Sequence, residues 1–303
     1  MASFNDFALV CLALGQTQSR LQMAELAAEF MAHLEPAEAE IAARFMVGRA
    51  LAQGEEKRLQ ISGRAIWKIV AAMTGGEDQG EDIFAAATDF GEAIEMLLRL
   101  RSVDPEPTLT LTEVERRFME IAEIEGRSSR GRKLDALRDL FARASTLEGK
   151  FITKILIREM RHGMSEGLML EAIAKMAGRP VADVRRANML TGDVGRVVRA
   201  FRSPERGEEA VAGGDMTEAV AIVAGSSDGE LSNEAESSEG HSDASVARST
   251  DRDGATMRPL KPMLAQPAPN VAEAMRMLGD RVALEHKLDG ARVQVHRDGA
   301  GVR

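Results

Sequence analysis

The sequence predicts a mainly α-helical protein in three parts. These are an all-helical domain over residues 1–203, an acidic Gly/Ser-rich linker over 204–256, and the first β-hairpin of an α+β domain over 257–303. Three observations carry this. Ala, Leu, Met and Glu dominate the first two hundred residues, while aromatics make up 4% of the chain and tyrosine is absent. That composition favours helix over a sandwich or barrel. Helix start signals then recur up to about residue 203, and the composition changes abruptly beyond it.

The start signals are explicit. Pro36 precedes Ala37-Glu38-Ala39-Glu40 as a first-turn proline. Thr112-Glu113-Val114-Glu115 and Ser145-Thr146-Leu147-Glu148 both read as capping boxes. Pro180 opens a helix through Val184-Arg185-Arg186. Phe151, Ile155, Leu156 and Met160 form one helical stripe, with Lys154, Arg158 and Arg161 on other faces and Gly163 as the stop. Breaks are expected at Gly75-Gly76, at Asp104-Pro105-Glu106-Pro107 and at Ser128-Ser129-Arg130-Gly131. Met73, Met160 and Met176 read as core.

A weak internal repeat runs through this region. Ile61-Ser62-Gly63 leads into an apolar helix ending at Gly75, and Met164-Ser165-Glu166 leads into another ending at Gly178. The separation of about one hundred residues is too long for a solenoid period. Two related helical halves packed on each other is the natural reading, against chance likeness between Ala-rich helices.

From Arg206 to Thr256 there are twelve acids against three bases, which accounts for the whole net charge of −9. With almost no large apolar residue over 226–249, this stretch lacks the surface to offset its ordering entropy. By contrast Lys150–Glu205 carries eleven bases against six acids, so the acidic total does not exclude nucleic acid as a partner. The single Cys11 excludes an intrachain disulfide or a cysteine zinc site. It fits a buried place in a reducing, cytoplasmic setting. No signal peptide is expected, and no apolar run is long enough to span a bilayer. His162, His286 and His296 show no metal-ligand or triad spacing, and no metal ligands are assigned.

Beyond Met257 the pattern alternates. Val282 and Leu284 read as strand, as does Arg292-Val293-Gln294-Val295-His296; Asp298-Gly299 is a hairpin signal, and Gly301-Val302-Arg303 begins a further strand. A chain ending inside a hairpin is expected to be a fragment or a truncated product.

Within this region lies Glu285-His286-Lys287-Leu288-Asp289-Gly290-Ala291-Arg292. On a strand, Glu285, Lys287 and Asp289 share one face. Asp289-Gly290 allows a tight turn that brings Arg292 back towards Lys287. The pattern suits a lysine amine attacking a nucleotide α-phosphate, with Arg292 supplying charge and a forked grip. Five fixed positions at roughly 5–7% background each predict about one chance match in a few thousand chains of this length. A solvated surface hairpin is the alternative for the octet taken alone.

The octet resembles the first nucleotidyltransferase motif of ATP-dependent DNA ligases, in the form shared by archaea and some bacteria. Pro259-Leu260-Lys261-Pro262-Met263-Leu264-Ala265 is similar to the segment leading into it. Residues 151–167, Arg186 to Gly195 and Thr17-Gln18-Ser19-Arg20 are similar to stretches of that family's all-helical DNA-binding domain. The likeness covers nearly all the chain except the acidic linker, which is longer and more acidic than the family leads one to expect.

The resemblance implies ATP as substrate, Mg2+ as cofactor, nicked double-stranded DNA as partner, no membrane association and a monomer. It implies Lys287 as the AMP-lysine, Glu285 at the adenine side and Arg292 at the sugar or phosphate. The family's later motifs, including its metal-binding carboxylates, have no counterpart here. The alternative function is therefore a catalytically inactive module that binds nicked DNA; an RNA ligase, a capping enzyme and a nicotinamide-dependent ligase fit the large helical part less well. Small-residue turns at Ser165-Glu166-Gly167 and Thr191–Gly195 are expected to bind phosphate at helix N-termini. The DNA contacts assigned on this basis are Arg158, Arg161, Ser165, Gly167, Gly192, Gly195 and Arg196, with Arg199 as a further cation. Solvated helix faces and ordinary helix stops are the competing account of the same residues.

Overall fold

Most of the helices begin where a short polar side chain can take an orphan backbone N–H. In the computed structural model, residues 1–52, 59–202, 270–279, 297–298 and 301–302 are described. The chain divides into two compact units, Met1–Ser232 and Asn233–Arg303. In the first, α1 (Phe4–Gln16), α2 (Arg20–Ala32), α3 (Pro36–Met46), α4 (Gly63–Thr74), α5 (Gly80–Ala86) and α6 (Phe90–Leu98) come in succession. They are followed by α7 (Leu111–Glu123), α8 (Ser129–Arg143), α9 (Thr146–Ile157), α10 (Glu166–Ala177), α11 (Val181–Thr191) and α12 (Val194–Arg202). Ser3, Ser19, Ser62, Asp89, Thr110, Ser145 and Ser165 cap seven of them through their side-chain oxygens. Each such cap stabilises by about 1 kcal/mol.

The expected capping box at Ser145 is complete. Ser145 Oγ accepts from the Glu148 N–H at 3.3 Å, and the Glu148 carboxylate accepts from the Ser145 N–H at 2.8 Å. The box expected at Thr112 belongs two residues earlier, since Thr110 accepts from the Glu113 N–H and the helix starts at Leu111. The break expected through Gly131 closes by Ser128, and Arg130-Gly131 is already helical. The largest departure is at α9. It ends at Ile157, not near Gly163, because Arg158 takes the left-handed conformation at φ 61° and terminates the ladder. Met160 is buried as expected, but from a loop. Lys154, placed on another face by periodicity, is itself buried, because α9 is flanked by α1 and α6.

The two related halves are present, and each has six helices. α6 packs on α9 as α12 packs on α3, and α1 packs on α9 as α7 packs on α3. Likewise α4 meets α8 as α10 meets α2, and α4 meets α6 as α10 meets α12. This is the pairing of an internal pseudo-dyad. Its axis passes a reciprocal pair of backbone bonds, in which Phe4 N–H donates to Leu109 O at 2.8 Å and Leu111 N–H donates to Ala2 O at 3.1 Å. The matching extends to side chains. Ser62 and Ser165 open α4 and α10, and Gly75 and Gly178 close them in the left-handed conformation that glycine adopts without a Cβ penalty. Arg101, just after α6, donates to Phe141 O and Ala144 O, and Arg202, at the end of α12, donates to Leu34 O.

The core runs continuously through both halves. Phe45 of α3 is its hub, 6.0 Å from Phe7 of α1 and 5.6 Å from Phe118 of α7 between ring centroids. Packing α12 onto α3 requires Gly195, where a Cβ would lie 2.7 Å from the Glu40 carbonyl oxygen. Its counterpart Gly91 lies under the Lys154 side chain.

In the second unit the described elements are α13 (Val271–Leu278), capped by Asn270, and the strands β1 (Arg297–Asp298) and β2 (Gly301–Val302). The strands pair antiparallel, Arg297 with Val302 and Asp298 with Gly301. Asp298, expected as the first residue of a turn, is thus the last residue of β1. The acidic linker and the expected strands over 282–296 lie outside the described residues.

Candidate nucleic-acid interface

The loop joining α9 to α10 alternates between core and solvent. Met160, His162 and Met164 point inward and are buried. Arg158, Glu159, Arg161, Gly163 and Ser165 are exposed. Three of the six backbones from 158 to 163 have positive φ: Arg158 at 61°, Arg161 at 51° and Gly163 at 80°. Positive φ is uncommon outside glycine, and two arginines adopting it within four residues mark a loop held by its surroundings.

Those surroundings are identifiable. Gly48 abuts the Arg158 backbone, Met23 of α2 closes on Gly163, and Gly15 of α1 sits against His162. His162 Nδ1 accepts from the Met164 N–H at 3.3 Å, while its Nε2 meets no hydrogen-bond partner among the described residues. Burial, and then the Lys154 charge, push its pKa down to about 4, so the ring is neutral at physiological pH. Lys154 lies beneath the loop, donating to Asp89 Oδ2 at 2.5 Å and to Met160 O at 3.4 Å. Burial alone would raise the Asp89 carboxyl; its bonds to Lys154 and the Glu92 N–H outweigh that and hold it below the usual carboxylate range.

On the outer side, Arg158 is exposed and makes no ion pair among the described residues. Arg161 is exposed and 3.3 Å from Glu159. Ser165 Oγ caps α10 by accepting from the Leu168 N–H at 3.2 Å. Gly167 lies in the first turn of α10 with open space around it, a Cβ there meeting only Ser165 Oγ at 3.9 Å. Neither packing nor φ explains a glycine at that position. Arg20, at the start of α2, is 3.5 Å from Glu171 of α10, which brings a further exposed cation beside the same helix. Sequence reasoning noted Arg20 for its likeness but assigned it no contact; its signal is a Ser-Arg pair at a helix start.

The second expected turn is built differently. Gly192 is buried, closing α11 at φ 73°. Asp193 is fully buried, and its Oδ1 accepts from the N–H groups of Gly195 and Arg196 at 2.9 and 3.2 Å. The N-terminus of α12 is thereby occupied by an internal carboxylate, and Gly195 is the contact with α3. A turn whose amides are already bonded and whose glycines are buried is a packing feature, so Gly192 and Gly195 have no phosphate-facing geometry. Arg196 is half-buried, and Arg199 is exposed 3.3 Å from Glu40.

Lys287, Glu285 and Arg292 lie outside the described residues. Among the described residues no three His, Cys, Asp or Glu side chains converge as metal ligands, and no helix is long and apolar enough to cross a membrane.

Residues 3–174 match the family model of the DNA ligase N terminus, and residues 262–303 match that of the ATP dependent DNA ligase domain. The chain belongs to the ATP-dependent DNA ligase family. A DNA ligase of Methanopyrus kandleri is 31% identical over 96% of this chain and 45% of its own length. DNA ligase 1 of Korarchaeum cryptofilum is 30% identical over 98% of this chain and 46% of its own length. A probable DNA ligase of Saccharopolyspora erythraea is 40% identical over 67% of this chain and 32% of its own length. The chain thus spans about half the length of the archaeal ligases it matches, or less for the bacterial one. The α9–α10 loop lies inside the first matched ligase segment and the lysine octet inside the second.

Proposed function

We propose that the chain is the DNA-binding part and the opening of the catalytic domain of an enzyme that seals nicks in duplex DNA at the expense of ATP. The observation that supports this most is the position of Glu285-His286-Lys287-Leu288-Asp289-Gly290-Ala291-Arg292 within the match to the ATP dependent DNA ligase domain. The Lys287 amine attacks the α-phosphorus of ATP, a phosphorus–nitrogen bond forms, and pyrophosphate leaves. The AMP passes to the 5′-phosphate of the nick, and attack by the 3′-hydroxyl closes the strand and releases AMP. Glu285 holds the adenine side, and Arg292 holds the sugar or phosphate. Charge on the leaving pyrophosphate calls for a divalent cation. No cluster among the described residues could hold one, so none of them is assigned to it.

The helical domain grips the duplex by its backbone, as sequence-independent sealing requires. Arg158, Arg161, Ser165 and Gly167 form the contact, and Arg20 adds to it.

The test is covalent labelling by α-labelled ATP with Mg2+. The whole enzyme is expected to take up label, and Lys287→Ala to abolish uptake. Label persisting on the Lys287→Ala protein would reassign the nucleophile. Gel shifts with nicked against intact duplex at low salt test the DNA reading, and absence of any shift would end it.

A further inference from the structure

The pseudo-dyad relates the turn that enters α10 to the turn that enters α4. Gly163, at φ 80°, stands two residues before the cap Ser165, as Gln60, at φ 54°, stands two residues before the cap Ser62. Counting back from the caps, Leu59 holds the place of His162. The helices beside the turns correspond as well: Lys133, Leu137, Phe141 and Ala144 are buried along α8 as Met23, Ala27, Met31 and Leu34 are along α2. Yet the two turns are held differently. Before α4, the Lys133 amine donates to Leu59 O at 3.3 Å. Before α10 the equivalent residue is Met23, which closes on Gly163 but has no proton to donate. There the hold comes from the turn itself, through His162 Nδ1 accepting from the Met164 N–H.

Packing alone does not call for a histidine. With Nδ1 accepting, the ring proton sits on Nε2, which is buried without a partner among the described residues. A buried donor left unbonded is unfavourable, and one in a native structure needs a reason. An apolar side chain of similar size carries no such donor, and Leu59 shows that this backbone admits one. What the apolar side chain lacks is the acceptor.

That acceptor exists only while Nδ1 is free of a proton. An imidazolium would turn a donor towards the Met164 N–H and break the bond. It would also add a cation where Lys154 of α9 already lies. The charged groups on the surrounding elements offer it no counterion. Asp89, at the start of α6, is bonded to Lys154. Cys11, one turn before Gly15 on α1, is uncharged, because burial pushes its thiol up. Glu166, at the start of α10, pairs at 2.6 Å with Arg49, which follows α3. Glu159 pairs with Arg161 on the outer side of the loop.

We infer that His162 is a positioning residue of the duplex contact, its neutral ring holding the turn that carries Arg161, Gly163 and Ser165 outward, and that a proton on the ring releases that turn. This inference rests on the reading of the α9–α10 loop as a DNA contact.

Two measurements on the full chain test it. Amide exchange at Met164, corrected for the intrinsic rate, reads the turn without DNA. A ring held at about 4 in the turn, and at its ordinary 6.5 outside it, makes opening about twentyfold more frequent at pH 5 than at pH 7. The wild-type Met164 amide should lose protection by that factor. In His162→Asn, which keeps an acceptor and does not titrate, protection should stay level. Met164 should also exchange faster than Ile152 in the core of α9 at both pH values, as local opening requires. Equal rates at the two amides, or wild-type protection that does not change with pH, would overturn the release. Fluorescence anisotropy with nicked duplex at pH 7 reads the contact. His162→Leu should bind severalfold more weakly than wild type while melting no lower, and His162→Asn should bind as wild type does. Wild-type affinity in His162→Leu overturns the positioning role, as does an asparagine that fails to restore binding. If Arg161→Ala and Gly167→Ala both bind like wild type, the loop is not the DNA contact, and the exchange comparison still decides whether the ring holds the turn.

Discussion

His162 is the residue on which the loop turns. It is buried, neutral and bonded through one ring nitrogen to the chain it supports. Its pKa is about 4 in the folded protein against an ordinary value of 6.5, so the unfolded chain binds more protons between those limits. The stability it contributes is therefore complete above pH 6.5 and is lost as pH falls towards 4, by about 3 kcal/mol in all from the 1.36 kcal/mol per pKa unit. The lowered carboxyls of Asp89, Glu92, Glu95 and Glu113 act only further down, below their ordinary values of 3.8 to 4.5. Between pH 6.5 and 5 the histidine thus stands apart from them. Urea midpoints measured at pH 7 and 5 should fall for the wild-type chain, and His162→Gln should flatten that difference.

At the scale of elements, what was legible is what depends on local chemistry. The caps at Ser145 and Ser165 and the first-turn Pro36 are written in neighbouring residues and are found where they are expected. The end of α9 is not, because Gly163 is the better stop on local grounds. Arg158 takes the left-handed turn instead because Gly48, from another helix connection, packs against its backbone. The same holds for the two glycine turns, which look alike in sequence. Only the packing partner separates Gly167, facing open space, from Gly195, against α3. Replacing each by alanine should therefore act in opposite ways. Gly195→Ala should destabilise by about 1–3 kcal/mol through overpacking against a backbone oxygen. Gly167→Ala should leave stability unchanged or raise it by up to about 1 kcal/mol, the helical preference of alanine. It should nonetheless weaken binding to nicked duplex. Thermal melts and anisotropy on the two variants separate packing from contact.

At the scale of the molecule, the halves cannot be independent. Each lends its third helix to the other's sixth, and the phenylalanines around Phe45 of α3 come from α1 in one half and α7 in the other. Fragments 1–104 and 105–202, produced separately, should each lack a cooperative melt. Mixed together, they should regain one and restore the helical circular-dichroism signal. Two separately cooperative fragments would contradict a shared core. The repeat in the sequence hinted at this arrangement through only two helices, since outside them the matched positions are single residues: Arg44 with Lys154, Glu38 with Glu148, Asp89 with Asp193. Such pairs emerge only when the packing names them.

The crossed pairing of α3 with α12 and of α9 with α6 has an evolutionary consequence. Side-by-side duplication of a self-sufficient unit would leave each copy folded on its own helices. Helices traded between copies are the arrangement that head-to-tail fusion of a domain-swapped six-helix homodimer would leave. Once one polypeptide held both subunits, each side of the old dimer axis was free to diverge.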